Sequence, residues 1–311
     1  MIVDLPNTTV SKISKSLVQI REQGGAVALG RVLTLVIQTD TGNAENAIQA
    51  ANAASREHPS RIIVLIDQTE GTEPKLDAEI RVGGDAGASE VIILRPVGDA
   101  ASYPQSLVTG LLLPDAPVVA WWPHSAPDNV SESPVGKIAT RRITDALSQQ
   151  DPTAFLVKLS QSYAPGDSDF AWTRLTLWRA QFAALLDQPP YERVKNVEVV
   201  GDLQNPSVLL LGAWLRQQLD CPVSMVHRED SVGVKAVYLV RLVREDSSIE
   251  ILRDQSNIAV LSQTNQPPKE LSLPVRSLRD CLAEDLRRLD PDLAFEKVIT
   301  SGLELLLKEQ L

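Results

Sequence analysis

Basic side chains at the ends of predicted strands are the residues best suited to bind an anion or a partner protein. They lie at the start of one apolar strand, at the end of another and in an adjacent pair: Arg56, His58 and Arg61; Arg95; Arg141 and Arg142. A planar guanidinium suits bidentate pairing with phosphate or carboxylate. Two interpretations stay open: the arginines converge on an anion or on a partner's carboxylates, or each forms an ordinary surface salt bridge.

Two adjacent tryptophans raise a second possibility. The segment VVAWWPHSAP contains Trp121 and Trp122, followed by Pro123, which cannot donate to a ladder and ends the strand. Neighbouring strand residues point to opposite faces, so both indoles are buried only if both faces are covered. The segment is either a sandwiched core strand or a partner surface, where tryptophan is enriched. We expect separate alanine substitutions to differ, one lowering stability and the other weakening binding.

Patterns typical of catalysis, of cofactor binding or of metal ligation are absent from the sequence. There is no GxSxG elbow and no HExxH pair, and three histidines leave few options for base or metal chemistry. GGDAGAS at 83–89 joins two predicted strands, and GDLQNPS at 201–207 lacks both GxGxxG and a Walker lysine. We therefore assign no catalytic, cofactor-binding or metal-binding residue.

Composition limits the class of partner. The 311-residue chain has a net charge of -10, which disfavours attraction to nucleic acid or to anionic membranes. No apolar run approaches the roughly 20 residues that span a bilayer, and no signal peptide is evident. Cys221 and Cys281 have no paired spacing and are interpreted as small buried side chains. We expect a cytoplasmic protein.

The order of predicted elements gives an α/β or α+β fold with two domains, each a mixed sheet with flanking helices. The first domain, 1–150, begins with an amphipathic helix capped by Asn7 and contains a strand at 61–67 buried on both faces. Its further predicted strands are 31–39, 78–82, 90–95 and 117–122, with helices at 43–57 and 102–113 and a helix-like RRITDAL from Arg141.

The remaining chain divides into an aromatic-rich helical connector, 151–190, and a C-terminal α/β domain, 191–311. In the connector, Asp169 is predicted to cap one helix that contains Trp172 and Trp178. The last domain is predicted to have strands at 197–201, 223–227, 234–244, 249–253 and 258–262, a helix at 206–219, a linker QTNQPPKE and two closing helices. Its order of elements suggests a diverged duplication of the first domain.

Five segments together resemble one protein family. They are GGAVALGRVLTLVI (24–37), SREHPSRIIVL (55–65), PVVAWWP (117–123), RRITDA (141–146) and CLAEDLRRLDPD (281–292). In this order they are similar to the glucose-6-phosphate dehydrogenase assembly proteins, OpcA. The resemblance implies a non-catalytic protein that binds glucose-6-phosphate dehydrogenase and promotes its active oligomer, at the entry to the oxidative pentose phosphate pathway.

This implied function leads to a hypothesis about contact residues. We predict that the partner contacts the WWP segment, the REHPSR loop, the arginine pair and the aromatic connector: Trp121, Trp122 and Pro123; Arg56, His58 and Arg61; Arg141 and Arg142; Asp151, Trp172 and Trp178. The alternative is a sugar-phosphate sensor or enzyme in which Arg61, Arg95 and Arg142 grip a phosphate.

Overall fold

The computed structural model describes residues 1–23, 30–67, 73–83, 90–228, 236–253 and 257–309. In chain order, its first half contains β1 (Ile2–Leu5), α1 (Val10–Gln23), β2 (Leu33–Asp40), α2 (Ala44–Ala54), β3 (Ser60–Asp67), β4 (Lys75–Val82), β5 (Glu90–Val97), α3 (Pro104–Thr109), β6 (Val118–Trp122), β7 (Arg141–Thr144), α4 (Pro152–Ser162) and β8 (Asp167–Asp169).

The second half continues with α5 (Phe170–Thr173), α6 (Thr176–Leu186), β9 (Asn196–Gly201), α7 (Pro206–Leu219), β10 (Val223–His227), β11 (Val237–Val243), β12 (Ser248–Leu252), β13 (Ile258–Gln263), β14 (Gln266–Ser272), α8 (Leu278–Arg287), α9 (Leu293–Lys297) and α10 (Leu303–Glu309). A π-helical turn, Val298–Gly302, joins the last two helices.

The chain forms two compact units that interleave along the sequence. Unit 1 comprises Met1–Ser148, Gly166–Ser168 and Leu278–Pro291, and unit 2 comprises Gln149–Pro165, Asp169–Ser277 and Asp292–Leu311. Unit 1 thus includes α8, a helix far along the sequence that packs against α2. The predicted domain boundaries at 150 and 190 stay a prediction.

Unit 1 is built on an eight-stranded mixed sheet in the order β1-β4-β5-β3-β2-β6-β7-β8. Its centre, β5-β3-β2-β6-β7, is parallel throughout. Strand β3 buries every residue except its last, as expected for an apolar, β-branched strand covered on both faces. This confirms the predicted α/β class and the predicted central strand at 61–67.

Unit 2 contains a six-stranded sheet in the order β10-β9-β11-β12-β13-β14. Only β10 and β9 pair in parallel; the remaining neighbours are antiparallel. Helix α7 packs against β9 and β10, and its Asn205 side chain caps it by accepting from the Ser207 N–H at 2.9 Å. The two sheets differ in strand order and direction, and the duplication stays a hypothesis.

Four local predictions are wrong. RRITDAL does not begin a helix, because Arg141–Thr144 pairs in parallel with β6. QTNQPPKE is not a linker, because Gln266–Ser272 turns back through Asn265 and pairs with β13. The helix after Asp169 is two helices, since the chain turns at Leu175. The helix predicted over 102–113 is shorter, Pro104–Thr109.

The predicted cap of the first helix is also wrong. Asn7 has a left-handed φ of 47°, and its N–H donates to Oδ1 of Asp77 at 2.7 Å. The helix begins at Val10, and the Thr9 hydroxyl accepts from the Lys12 N–H at 3.3 Å. A threonine one residue before the helix satisfies a terminal donor in the usual way. Gly24 and Gly25, which follow this helix in the sequence and which we expect to end it, lie outside the described residues.

Candidate partner interface

The REHPSR loop links α2 to β3 and contains two of the predicted contact residues that keep solvent exposure. Arg56 is exposed and His58 is half-buried. The His58 N–H donates to the Ala54 carbonyl at 3.2 Å, which continues the end of α2. The loop therefore exposes the Arg56 side chain, whereas Nε2 of the half-buried His58 is itself buried.

Arg61, the last residue of that loop segment, is buried in an ion cluster around Glu90. Its Nε donates to Oε2 of Glu90 at 2.8 Å, and its Nη1 donates to the Leu111 carbonyl at 2.6 Å. Arg21 Nη2 approaches the same carboxylate at 3.0 Å and Arg31 Nη2 at 3.6 Å. Three guanidinium groups thus share one carboxylate that is 1% exposed.

The electrostatics of this cluster hold Glu90 ionised. Burial raises its pKa, but the hydrogen bond from Arg21 and the charges of Arg61, Arg31 and Arg21 outweigh that effect, so the pKa lies below its ordinary value. Arg61 and Glu90 are direct partners in the β3–β5 register. The sequence places both residues at or near the start of an apolar strand, but it does not show that the two strands are neighbours.

The WWP segment lies in the core. Trp121 and Trp122 are 0% and 1% exposed, and Pro123 is buried. Trp122 Nε1 donates to Oε1 of Gln38 at 3.2 Å, and Gln38 Nε2 donates to the Asp67 carboxylate at 3.3 Å. The sandwiched-strand interpretation is therefore confirmed for both indoles.

Arg141 and Arg142 also point into unit 1. Arg142 forms a close ion pair with Asp167, and its Nη1 donates to the Ala139 carbonyl at 2.9 Å. Arg141 pairs with Asp285 on α8, which also accepts from the Ser168 hydroxyl at 2.7 Å. These arginines join β7 to the neighbouring segment of β8 and to α8.

The predicted residues of the connector divide by exposure. Asp151 is exposed and caps α4 by accepting from the Ala154 N–H at 2.9 Å. Trp172 is buried, and its Nε1 donates to Asp292 at 2.8 Å. Trp178 is buried against Phe182. Beside Trp178 lies the Arg253 guanidinium, 5.2 Å from the ring, and burial lowers the pKa of this arginine to about 10.

Most of the predicted contact side chains are thus buried. Arg61, Trp121, Trp122, Pro123, Arg141, Arg142, Trp172 and Trp178 lie in the interior of their own units, and the expectation that they form an exposed surface is corrected accordingly. Arg56, His58 and Asp151 keep solvent exposure, and their contact with a partner stays a prediction.

The alternative phosphate grip does not form. Arg61 is the second residue of β3, whereas Arg95 lies near the carboxyl end of the parallel strand β5, so the two are at opposite ends of the parallel strands. Arg95 Nη2 donates to Glu79 at 2.9 Å, while Arg61 and Arg142 pair with Glu90 and Asp167. Each arginine has its own carboxylate, and the three do not converge.

The carboxyl edge of the parallel strands contains a carboxylate at the start of α2. Asp40 ends β2, and its carboxylate accepts from the Asn43 N–H at 3.0 Å and from Asn43 Nδ2 at 2.8 Å. The side-chain hydrogen bond from Asn43 is the main reason that the pKa of Asp40 is lowered. At Gly42, a Cβ would lie 3.3 Å from Asp40 Oδ1, so the turn closes tightly on the carboxylate.

A second carboxylate stands at the end of the adjacent strand. Asp67 ends β3, and burial raises its pKa, with Asp40 adding to the rise and the Gln38 hydrogen bond opposing it. Asp40 and Asp67 are register partners in β2 and β3. This edge of the sheet is therefore acidic.

Comparison with known protein families assigns the chain to one family. Residues 165–299 match the family model for the C-terminal domain of the glucose-6-phosphate dehydrogenase subunit, and residues 51–161 match the model for its N-terminal domain. The chain belongs to the glucose-6-phosphate dehydrogenase assembly protein family, OpcA. No curated protein sequence matches it significantly.

A solved structure shares the fold of this OpcA-family chain. An oxidoreductase from Sinorhizobium meliloti aligns with a TM-score of 0.52 at 10% identity, covering 88% of this chain and 95% of that one. An inositol dehydrogenase homolog from Azotobacter vinelandii, complexed with NADH and myo-inositol, gives 0.47 at 9% identity, covering 90% and 94%. At such identities the first likeness shows a fold and nothing of activity.

The β2–α2 turn does not fit a dinucleotide. Folds with this parallel strand order bind the pyrophosphate where the first strand enters its helix, on free N–H groups of a glycine-rich turn. Here the Asn43 N–H at that place is bonded to Asp40, and the turn TDTGN has a single glycine. An anionic phosphate would face an ionised carboxylate whose pKa is already lowered. The β2–α2 turn of the OpcA-family chain therefore lacks the features of that phosphate-binding turn.

We expect NAD⁺ and NADP⁺ to leave the melting temperature of the protein unchanged at millimolar concentration. Asp40→Ala removes the acceptor for two hydrogen bonds at the start of α2, and we expect it to lower stability by about 1 kcal/mol. Thermal melts with and without dinucleotide measure both effects, with the exposed Glu57→Ala beyond the other end of α2 as the control. A saturable rise in melting temperature with either dinucleotide would contradict the conclusion that the β2–α2 turn does not bind a dinucleotide.

Proposed function

We propose that this chain is a non-catalytic assembly factor that binds glucose-6-phosphate dehydrogenase and promotes its active oligomer. The observation that carries the proposal is the family match over both domains, 51–161 and 165–299. In the cell it would act in the cytoplasm and support the oxidative pentose phosphate pathway and its NADPH supply.

Structural roles of the charged residues support this proposal. The arginines that an anion-binding enzyme would use are each paired with a carboxylate inside unit 1. The turn that would hold a dinucleotide phosphate is closed around Asp40. Among the described residues, no helix is both long enough and apolar enough to cross a bilayer. The chain has a net charge of -10, so its surface is on balance negatively charged.

The mechanism that we propose is a shift of population. We propose that the chain binds the substrate-competent state of the dehydrogenase oligomer more tightly than the other states. The difference in binding free energy then shifts the equilibrium between the states and raises the population of the competent one. A coupling of about 1–3 kcal/mol changes apparent substrate affinity roughly 5- to 150-fold. No chemical group of this chain needs to reach the substrate.

A titration tests the proposal. We expect increasing amounts of the purified chain to lower the apparent KM of glucose-6-phosphate dehydrogenase, and the two proteins to co-elute from a sizing column. The net charge of -10 favours a partner surface with basic residues, so we expect the effect to weaken as salt is raised.

Binding of glucose 6-phosphate to the isolated chain is the matched control. Calorimetry with the chain alone separates an assembly factor, which gives no heat, from a sugar-phosphate sensor, which gives a saturable one. Unchanged dehydrogenase kinetics together with separate elution of the two proteins would refute the proposed function.

A further inference from the structure

We infer that the dehydrogenase docks on the face of the unit 2 sheet that is opposite α7; this inference rests on the proposed function. One continuous row of apolar side chains crosses that face, strand by strand: Val226, Val200, Leu239, Leu252 and Val260. Each member is the register partner of the next. We call this set the apolar row.

The two faces of the sheet differ in burial. Val199, Val240 and Ile251, on the opposite face, are completely buried. Helix α7 covers part of that side, since its Val208 lies 3.0 Å from a Cβ built on Gly201, and Met225 would meet one built on Gly212. In the apolar row, by contrast, Val226 is 39% exposed and the other four side chains are half-exposed. Side chains alternate along strands, so the row forms one surface.

A charged row runs beside the apolar row on the same face. Arg241 on β11 bonds Glu198 on β9 at 2.9 Å and Glu250 on β12 at 2.7 Å. The hydrogen bond to Glu250 is the main cause of a raised pKa at Arg241. Glu270, which is exposed on β14, continues the apolar row past Val260. Beside its apolar centre the face therefore contains the carboxylates of Glu198, Glu250 and Glu270 and the guanidinium of Arg241.

Charge selects the occupant of this face. A second copy of the chain would bring the same surplus of carboxylates against the first, and like charges across an interface are costly. The complementary surface has an apolar strip flanked by lysine or arginine. Because the chain belongs to a family of dehydrogenase assembly proteins, we assign that surface to glucose-6-phosphate dehydrogenase.

The dimensions of the face suit the centre of such an interface. From Val226 to Glu270 the apolar row and its continuation on β14 cross six strands, or about 24 Å at a strand spacing of ~4.8 Å. Interfaces concentrate their binding energy in a central apolar patch with a polar rim. The edge strand β14 contains Pro267 and Pro268, which lack N–H donors, so this edge is poorly suited to adding a partner strand. A partner would therefore dock on the face of the sheet and not at this edge.

Leu239→Glu tests the inference because it places a charge in the middle of the apolar row. We expect the Kd for glucose-6-phosphate dehydrogenase to rise at least 10-fold, with little change in melting temperature, since the side chain is already half-exposed. Leu305→Glu is the matched control: the same substitution, in the same unit, at a 45% exposed position of α10. Unchanged affinity in the folded Leu239→Glu protein would overturn the inference.

Two more variants keep the test decisive. If Leu239→Glu fails to fold, Val200→Thr keeps a β-branched residue in the row, and we expect it to weaken binding about 3-fold. Glu270→Lys reverses a charge at the end of the row, and we expect weaker binding with a smaller dependence on salt. Equal affinities for wild type and for both variants would overturn the inference.

Other outcomes separate the occupants. Sedimentation of the free chain reports self-association: a wild-type dimer that Leu239→Glu dissociates, with dehydrogenase binding intact, would assign the face to a second copy instead. A wild-type chain that never binds the dehydrogenase would overturn the proposed function and this inference together. Loss of binding in both Leu239→Glu and Leu305→Glu would overturn this inference alone.

Discussion

Trp121→Ala is expected to lower the free energy of unfolding of unit 1 by about 3–5 kcal/mol. The indole is 0% exposed in β6, between β2 and β7 in the parallel sheet, so its removal leaves a cavity in the core. For a unit of this size, the loss corresponds to a drop in melting temperature of the order of 10 °C. Urea unfolding followed by fluorescence and circular dichroism measures it.

Trp122→Ala is expected to have a similar effect, and this differs from the expectation based on the sequence. That expectation assigned stability to one tryptophan and binding to the other; the structure buries both.

Trp122→Phe retains most of the side-chain volume but loses the hydrogen bond to Gln38, and we expect the free energy of unfolding to fall by about 1 kcal/mol. Tyr103→Ala, at a 68% exposed aromatic in unit 1, should change stability by less than about 0.5 kcal/mol. A Trp121→Ala protein as stable as Tyr103→Ala would contradict the prediction.

Glu90→Gln is expected to destabilise unit 1 by about 3–5 kcal/mol, because it leaves three guanidinium groups around a neutral side chain. Glu132→Gln is the control: that carboxylate is 68% exposed and pairs with the exposed Lys137, so we expect a change below about 1 kcal/mol. Urea midpoints of both variants, measured at pH 7, give the comparison.

A double variant tests the cause of that loss. In Glu90→Gln, the further change Arg21→Gln removes one of the uncompensated cations, and we expect it to recover part of the stability. In wild type, Arg21→Gln should destabilise, because it breaks bonds of 3.0 and 3.2 Å to the carboxylate. Additive effects of the two substitutions would show that the residues act independently and would contradict the cluster as described.

The pH dependence of stability gives an independent check. The folded-state pKa of Glu90 lies below its ordinary value of 4.5, so its stabilising contribution is complete above pH 4.5 and is lost as the pH falls through the folded-state pKa. We expect the stability difference between wild type and Glu90→Gln to be constant near neutral pH and to shrink in that acid range. A difference that stays constant down to pH 3 would contradict the role of the Glu90 charge.

The sequence determined the parts of the fold that depend on local pattern. The apolar run at 61–67 predicted a strand buried on both faces, Asp169 predicted a helix cap, and the segment 206–219 predicted a helix. The structure confirms these three features. Five short segments indicated the family that the domain matches show. These features are readable because burial and capping leave a signal within a few residues.

The tertiary structure alone decided which side chains are exposed and which partner each charged side chain pairs with. Arg61 and Glu90 are 29 residues apart, and Arg141 and Asp285 are 144 apart, so nothing local marks them as buried pairs. RRIT and QPPKELS became strands because neighbouring strands supplied their hydrogen bonds. The apolar row exists only through the register of five strands. Pairing between distant segments follows from the packing of the whole sheet, which no single stretch of sequence encodes.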